Sequence, residues 1–261
     1  MSFDHQPALD VVLVRPRNPM NIGAAARAMA NFGLERLSVV DAYEPHWREA
    51  RTAVDAEDLL QNARALPTLA EAVAEATLVI GTGSLTYRKP EQEVVQLPHL
   101  APRVARELVA GGRIALVFGS EKHGLTREDL SWCHILVEIP TSPRQPSMNL
   151  AQAVAVCLYE LSTRASQPEP QALAASSSSA LPQQADFPPA PPALHSPSAE
   201  LDRLASLIEE TMSAARYSPA HMRPANQHDL RLMLRRLEFN AHDLRRALGL
   251  FRRILWRIGR P

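Results

Sequence analysis

Five short runs of the chain are apolar at nearly every consecutive position: "DVVLV" (10–14), "RLSVV" (36–40), "TLVIG" (77–81), "RIALVFG" (113–119) and "ILVEIP" (135–140). A strand with one wet face alternates; a run this continuous and this rich in valine, isoleucine and leucine is covered on both faces. The stretches between them keep helical spacing, over 21–32, 49–63, 69–76, 98–110, 126–133 and 149–164. Gly33 stands where a left-handed residue closes the first helix, and Gly111-Gly112 closes the fourth. Strands alternating with helices predict an α/β layer structure with a mainly parallel sheet over residues 1–165.

The pattern then breaks. Residues 166–199, "SQPEPQALAASSSSALPQQADFPPAPPALHSPSA", contain eight prolines and no glycine. Such a segment buries too little apolar surface to offset its ordering, so it reads as an extended linker, with a proline-motif docking segment as the alternative. From 200 to 261 the period is helical throughout. Leu201, Leu204, Ile208, Met212 and Ala215 share one face, and Leu244, Leu248, Phe251, Leu255 and Ile258 share another. With a further helix over 227–239, this predicts a small all-α domain of three helices.

Charge changes the picture of that last unit. The chain's 28 basic and 28 acidic residues cancel, yet residues 200–261 carry twelve basic and seven acidic side chains, and all twelve cations are arginine. Guanidinium forks match phosphate oxygens, so the excess fits a polyanionic partner; the plain alternative is a solvated helix surface. Elsewhere composition is ordinary, with 46% hydrophobic and 21% charged residues. No run approaches the eighteen apolar residues of a membrane span, and "MSFDHQPALD" has no charged-then-apolar leader, so a cytoplasmic protein is expected. Cys133 and Cys157 lack metal-ligand spacing and read as buried thiols. No metal is expected.

Four stretches where a strand ends need a chemical reading, because ligands bind at such points in α/β sheets. "RPRNPMNIGAAARAMANFGL" (15–34) reads as an Asn-Ile-Gly turn, Asn21 to Gly23, entering an alanine-rich helix with Arg27 one turn in. "GSEKHGLT" (119–126) imitates a triphosphate loop but has Leu125 where the lysine must be, which removes the main countercharge and excludes an NTPase. "GTGS" (81–84) lacks the third glycine of a dinucleotide turn, which argues against a nicotinamide dehydrogenase. "SPRQPSMNLAQAVAV" (142–156) is a proline-held loop in which Asn149 or Ser147 caps the following helix, and Arg144 is either a ligand contact or a loop cation.

In this order and separation, N-x-G-x-x-x-R (Asn21, Gly23, Arg27), "LVFGSExxGL" (116–125) and "SxNLAxAV" (147–154) resemble the SpoU, or TrmH-like, class of the SPOUT superfamily of RNA ribose methyltransferases. The helical extension with "MLRRL" is similar to that of the TrmJ subgroup, which methylates a ribose 2′-hydroxyl of cytidine or uridine at position 32 of the tRNA anticodon loop. The resemblance implies a SPOUT fold with a C-terminal trefoil knot over roughly 113–164, although threaded chains are otherwise nearly absent from proteins. It further implies a homodimer with its active site at the subunit interface.

The implied cofactor is S-adenosyl-L-methionine, held by Thr82, Gly83, Ser84, Gly119, Ile139, Pro146, Ser147 and Met148, with Gly83 and Gly119 allowing close backbone approach. Arg27, Asn21 and Ser147 become the catalytic residues. Arg27 would hold the substrate's phosphate and stabilise charge on the 2′-oxygen, an electrostatic role that suits a permanently charged group better than proton abstraction. Glu121 and Asn149 would organise loops. The tRNA would meet Arg27, Arg88, Lys89, Arg144, Arg245, Arg246, Arg252 and Arg253. One departure stands out: "LTYRKP" (85–90) places Arg88 and Lys89 slightly off the subgroup's register. Two alternatives share the resemblance, a ribosomal RNA methyltransferase and an inactive RNA-binding or assembly factor.

Overall fold

The five apolar runs become β1 (Leu9–Val14), β2 (Leu37–Val40), β4 (Leu78–Thr82), β6 (Ile114–Phe118) and β7 (Ile135–Glu138). Two further strands, β3 (Arg64–Leu66) and β5 (Glu93–Gln96), form the edges of a seven-stranded sheet of order β3-β2-β1-β6-β4-β7-β5. Every pairing in it is parallel. This structure is a computed structural model and describes residues 8–84, 90–164 and 194–259; Arg88 and Lys89 lie outside them, as does most of the 166–199 segment.

Both faces of the sheet are covered. Leu9, Val11, Leu13, Leu116 and Phe118 point into one core with the helices α1 (Pro19–Asn31), α2 (Glu57–Asn62), α4 (Ala101–Val109) and α6 (Leu150–Arg164). Val12, Val14, Val79, Ala115 and Val117 point into a second core with α3 (Leu69–Val73) and residues beside α5 (Arg127–Leu130). Alternate side chains feeding opposite cores is why these strands show so few polar positions.

Two helix expectations are corrected. Asn21 to Gly23 is not a turn: the helix already begins at Pro19, with Asn18 as its cap accepting from the amide of Met20 at 3.0 Å. Proline at the first helical position costs no hydrogen bond. Gly23 is needed inside α1 because a Cβ there would lie 2.5 Å from Thr52 Oγ1 and 3.0 Å from Ala50 Cβ. That packed segment explains the second correction, since 49–63 is not one helix. A short 3₁₀ turn covers Trp47–Glu49, Asp55 takes a left-handed φ of 60°, and only Glu57–Asn62 is α-helical. The glycines that close helices do so as their positions suggest, Gly33 at φ 70° and Gly111 at φ 82°.

The C-terminal unit comprises α7 (Ser198–Ala214), α8 (Arg223–Arg236) and α9 (Ala241–Ile258) around Leu201, Leu204, Ile208, Leu234, Leu244 and Leu248. It begins two residues before position 200, because Ser198 donates both its amide (2.9 Å) and its hydroxyl (3.0 Å) to Ala76 O, next to α3. Three residues earlier, His195 Nδ1 sits 2.7 Å from Glu107 Oε2 on α4. Arg235, with its side chain 1% exposed, pairs with Asp202 at 3.0 Å and donates to Trp132 O at 3.1 Å. Arg231 bonds Glu128 at 2.6 Å and lies 4.3 Å over the Trp132 ring. The helical unit therefore sits against the α5 side of the sheet.

Candidate active site

A cavity of about 440 Å³ opens where β4, β6 and β7 end, within the range of small-molecule sites. Thr82, Gly83 and Ser84 line it from β4, Gly119 from β6, and Ile139, Pro146, Ser147 and Met148 from the segment after β7. The eight residues assigned to a donor molecule thus share one cavity. Phe118, Leu125 and Leu150 add apolar wall, while Thr141, Lys122 and His123 add polar groups that were not singled out from the sequence. Phe118, Lys122, His123 and Leu125 fall inside or beside the "LVFGSExxGL" signature, which was the available signal.

Local hydrogen bonds fix the three walls. Thr82 Oγ1 donates to Val117 O at 3.0 Å and the Gly83 amide to Val137 O at 3.3 Å, tying the end of β4 to both neighbours. Nothing lies within 4 Å of a Cβ built on Gly83, so its backbone is bare toward open space. Gly119 is different, and close approach to a ligand is not what demands it. A Cβ there would meet Gly124 C and Leu125 N at 2.1 Å, because the 119–125 loop folds back on itself. That loop closes through the Gly124 amide to Ser120 O at 2.8 Å, with Gly124 at φ 64°. The third wall is held by Thr141 Oγ1 donating to Pro146 O at 3.0 Å. Asn149 Oδ1 then accepts from the Ala151 amide at 3.0 Å, so Asn149 caps α6.

Asn21, Glu121 and Asn149 form one network across the three signatures. Asn149 Nδ2 donates to Asn21 Oδ1 at 2.9 Å, and Asn21 Nδ2 donates to Glu121 Oε1 at 2.8 Å. Glu121 also accepts from the amides of Arg17 (2.8 Å) and Asn18 (3.1 Å). Burial pushes the Glu121 carboxyl up, but the Asn21 amide and these backbone N–H groups outweigh it and hold it below the ordinary value. An anchored carboxylate of this kind joins loops; it is a poor carrier of protons.

Arg27 is exposed on α1 and is not among the residues lining the cavity of its own chain. Ser147 and Arg144 are exposed on the loop before α6, and Arg245, Arg246, Arg252 and Arg253 are exposed along α9. Arg253 lies 4.2 Å over the Trp256 ring. Among the described residues no group of three or more potential ligands could hold a metal ion, and no helix is long and apolar enough to cross a membrane.

The model of the SpoU rRNA Methylase family matches residues 8–159, more than half of the chain. The chain belongs to the SpoU methylase family. Within this family it is similar to the tRNA (cytidine/uridine/adenosine-2'-O-)-methyltransferase TrmJ of Pseudomonas aeruginosa (strain UCBPP-PA14), 43% identical over 157 residues covering 58% of this chain and 59% of the relative. It is also 38% identical over 158 residues to the tRNA (cytidine-2'-O-)-methyltransferase TrmJ of Methanocaldococcus jannaschii, covering 60% of this chain and 68% of the relative. The matched part thus spans about three fifths to two thirds of these curated relatives. Among solved structures, TrmJ from Z. mobilis ZM4 superposes with a TM-score of 0.73 at 27% identity, covering 94% of this chain and 98% of that one. The SpoU α/β fold and the added helical unit are therefore both shared with a solved protein.

Proposed function

We propose that this SpoU-family chain transfers a methyl group from S-adenosyl-L-methionine to a ribose 2′-hydroxyl of tRNA, on cytidine or uridine at position 32 of the anticodon loop. The observation that carries the reading is the convergence of three strand-end loops on one cavity, with the bare Gly83 backbone beside it. The donor set fits the cofactor: apolar Phe118, Leu125, Ile139 and Leu150 suit a flat adenine, and the hydroxyls of Ser84, Thr141 and Ser147 suit its polar ends. When bound, S-adenosylmethionine supplies a methyl group on a sulfonium, which departs as a neutral thioether.

The chain's residues must align that methyl group with a ribose oxygen and stabilise the oxygen as its proton leaves. In this account the Asn149–Asn21–Glu121 network holds the cavity's rim in register with the start of α1, and the Ser147 hydroxyl lies at the mouth. Arg27 supplies the positive charge, from one copy of a homodimer to the cavity of its partner. Its exposure on α1, outside the lining of its own cavity, supports that division of labour. So does the apolar surface of the packed α1/α6 pair, where Met20 and Tyr159 are exposed.

The domain assignment belongs to the same reading: a methyltransferase domain over 1–165 carrying a trefoil knot in its last third, a linker, and a helical extension whose outward arginines meet the tRNA backbone. Placement in the cytoplasm agrees with Cys133 and Cys157 being free and buried. Ribosomal RNA is the second reading, favoured by the family's own description; the shared helical extension favours tRNA. Calorimetric titration with S-adenosylmethionine tests the cavity: wild type binds one equivalent per chain, and Gly83→Val, which fills the bare position, abolishes binding while the protein stays folded. Equal binding by both proteins would refute the assignment.

A further inference from the structure

A second recess of about 320 Å³ lies on the same sheet edge, lined by Arg15, Arg17, Asp41, Ala42, Tyr43, Ser120 and His123. Ser120 and His123 also line the larger cavity, so the two adjoin. The recess is built at the ends of β1 and β2, beside the β6 loop, where three neighbouring strands terminate together.

Its chemistry differs from that of the larger cavity. Tyr43 is 64% exposed, and the Arg17 guanidinium lies over its ring, 4.6 Å from the centroid. Arg15 is held from behind by its ion pair with the buried Asp129, which also caps α5 with Thr126. Two cations and an exposed aromatic ring, one face of it under the Arg17 guanidinium, therefore line one hollow, with the Asp41 carboxylate as an acceptor at its side.

The backbone around it is strained. Arg15 and Asp41 are non-glycine residues at φ 47°, a left-handed conformation that side chains resist. They are pinned by the Arg15 amide to Val40 O at 2.8 Å and the Asp41 amide to Leu66 O at 3.0 Å, and Tyr43 by its amide to Pro16 O at 3.1 Å. Strain held in place by neighbouring hydrogen bonds gathers where side chains must be aimed at a ligand.

We infer that this recess takes the unpaired nucleotide flanking the methylated one, its base stacked on Tyr43 and its phosphate held by Arg17 and Arg15. The inference rests on the tRNA reading above. Aromatic platforms flanked by guanidinium groups are how single-stranded RNA is gripped without reading sequence, and Asp41 can accept from a base amine or a ribose hydroxyl. The wall shared with the larger cavity, Ser120 and His123, puts a nucleotide here beside one whose ribose reaches the methyl donor.

The test compares wild type with Tyr43→Ala, Tyr43→Phe and Arg17→Ala. It reads steady-state methylation of tRNA, S-adenosylmethionine affinity by calorimetry, and anisotropy of a fluorescent anticodon-loop oligoribonucleotide. Tyr43→Ala should raise KM for tRNA and weaken the oligonucleotide by about tenfold, the stacking of one base, with donor affinity within about twofold of wild type. Tyr43→Phe restores most of that loss, because stacking needs the ring and not the hydroxyl. Arg17→Ala should weaken the oligonucleotide and flatten its salt dependence. Unchanged tRNA KM and oligonucleotide affinity in Tyr43→Ala, or equal losses in Tyr43→Ala and Tyr43→Phe, would overturn the inference. Should wild type bind the oligonucleotide through Tyr43 yet transfer no methyl group, the functional reading fails and the recess stands.

Discussion

The α/β unit and the helical unit spend their arginines differently. In the α/β unit the fold is carried by strands such as β1, β4 and β6, buried along their whole length and feeding a core on each side. Arg27 lies outside that core, and Arg15 and Arg17 stand at its edge. The helical unit has a much smaller apolar core, and its junction with the sheet is made largely of charge. Arg235 is buried between Asp202, Trp132 O and the Trp132 ring, and Arg231 between Glu128 and the same ring. An arginine-rich tail is therefore not all surface. Part of its positive charge fastens the unit, and the outward arginines, those on α9 among them, are the part available to a polyanion.

The largest expected effect falls on the α/β side. Gly119→Ala forces a methyl group into the backbone of Gly124 and Leu125, an overpacking that should cost about 3 kcal/mol and abolish donor binding. Thermal unfolding and calorimetry would show both losses together.

Arg235→Ala tests the helical side. It leaves the half-buried Asp202 without its partner and should weaken docking by about 3 kcal/mol. Limited proteolysis should then release a fragment beginning near residue 194 while the α/β unit keeps its donor affinity. Loss of donor binding in this variant would mean that the two units are one cooperative body.

Arg27→Lys sharpens the contrast between a fastening arginine and a free one. It should leave the melting temperature unchanged and lower kcat about a hundredfold, the scale of one lost stabilising donor, because lysine keeps the charge but not the fork. Near-normal turnover would show that charge alone suffices.

The smallest effect is a pH dependence at the junction. The hydrogen bond to Glu107 raises His195 above the ordinary histidine value, against an opposing effect of burial, and the Glu107 and Glu238 charges assist. For Glu107, burial pushes up, but the bond to His195 and the neighbouring positive charge outweigh it and hold the carboxyl below its usual value. His195 thus contributes full stability below the ordinary histidine pKa and loses it as pH rises through the raised value. Glu107 loses its share only as pH falls through its own depressed value. Docking of the helical unit should weaken as pH rises from the ordinary histidine range through the raised His195 value, and His195→Gln should remove that slope.

Much of this was readable in the chain. β1, β2, β4, β6 and β7 announce themselves because both faces are covered. The edge strands "RAL" and "EVVQ" are mostly exposed and leave no apolar run to find. The break within 49–63 was hidden because an alanine-rich segment suits a helix until Gly23 of α1 makes room for it to pack as a series of turns. The cavity residues followed from the signatures, but the bond from Asn21 to Glu121 joins residues a hundred positions apart, which no local pattern encodes. The same limit hid the grip of Arg235 on Trp132.

One experiment bears most directly on the central claim that the converging strand-end loops hold a methyl donor against a tRNA ribose. Incubate the protein with S-adenosylmethionine labelled in its methyl group and bulk tRNA, then digest the RNA and map the label. The account predicts a single labelled 2′-O-methyl nucleoside from the anticodon loop; label on a base, or none on tRNA from a protein that binds the donor, would contradict it.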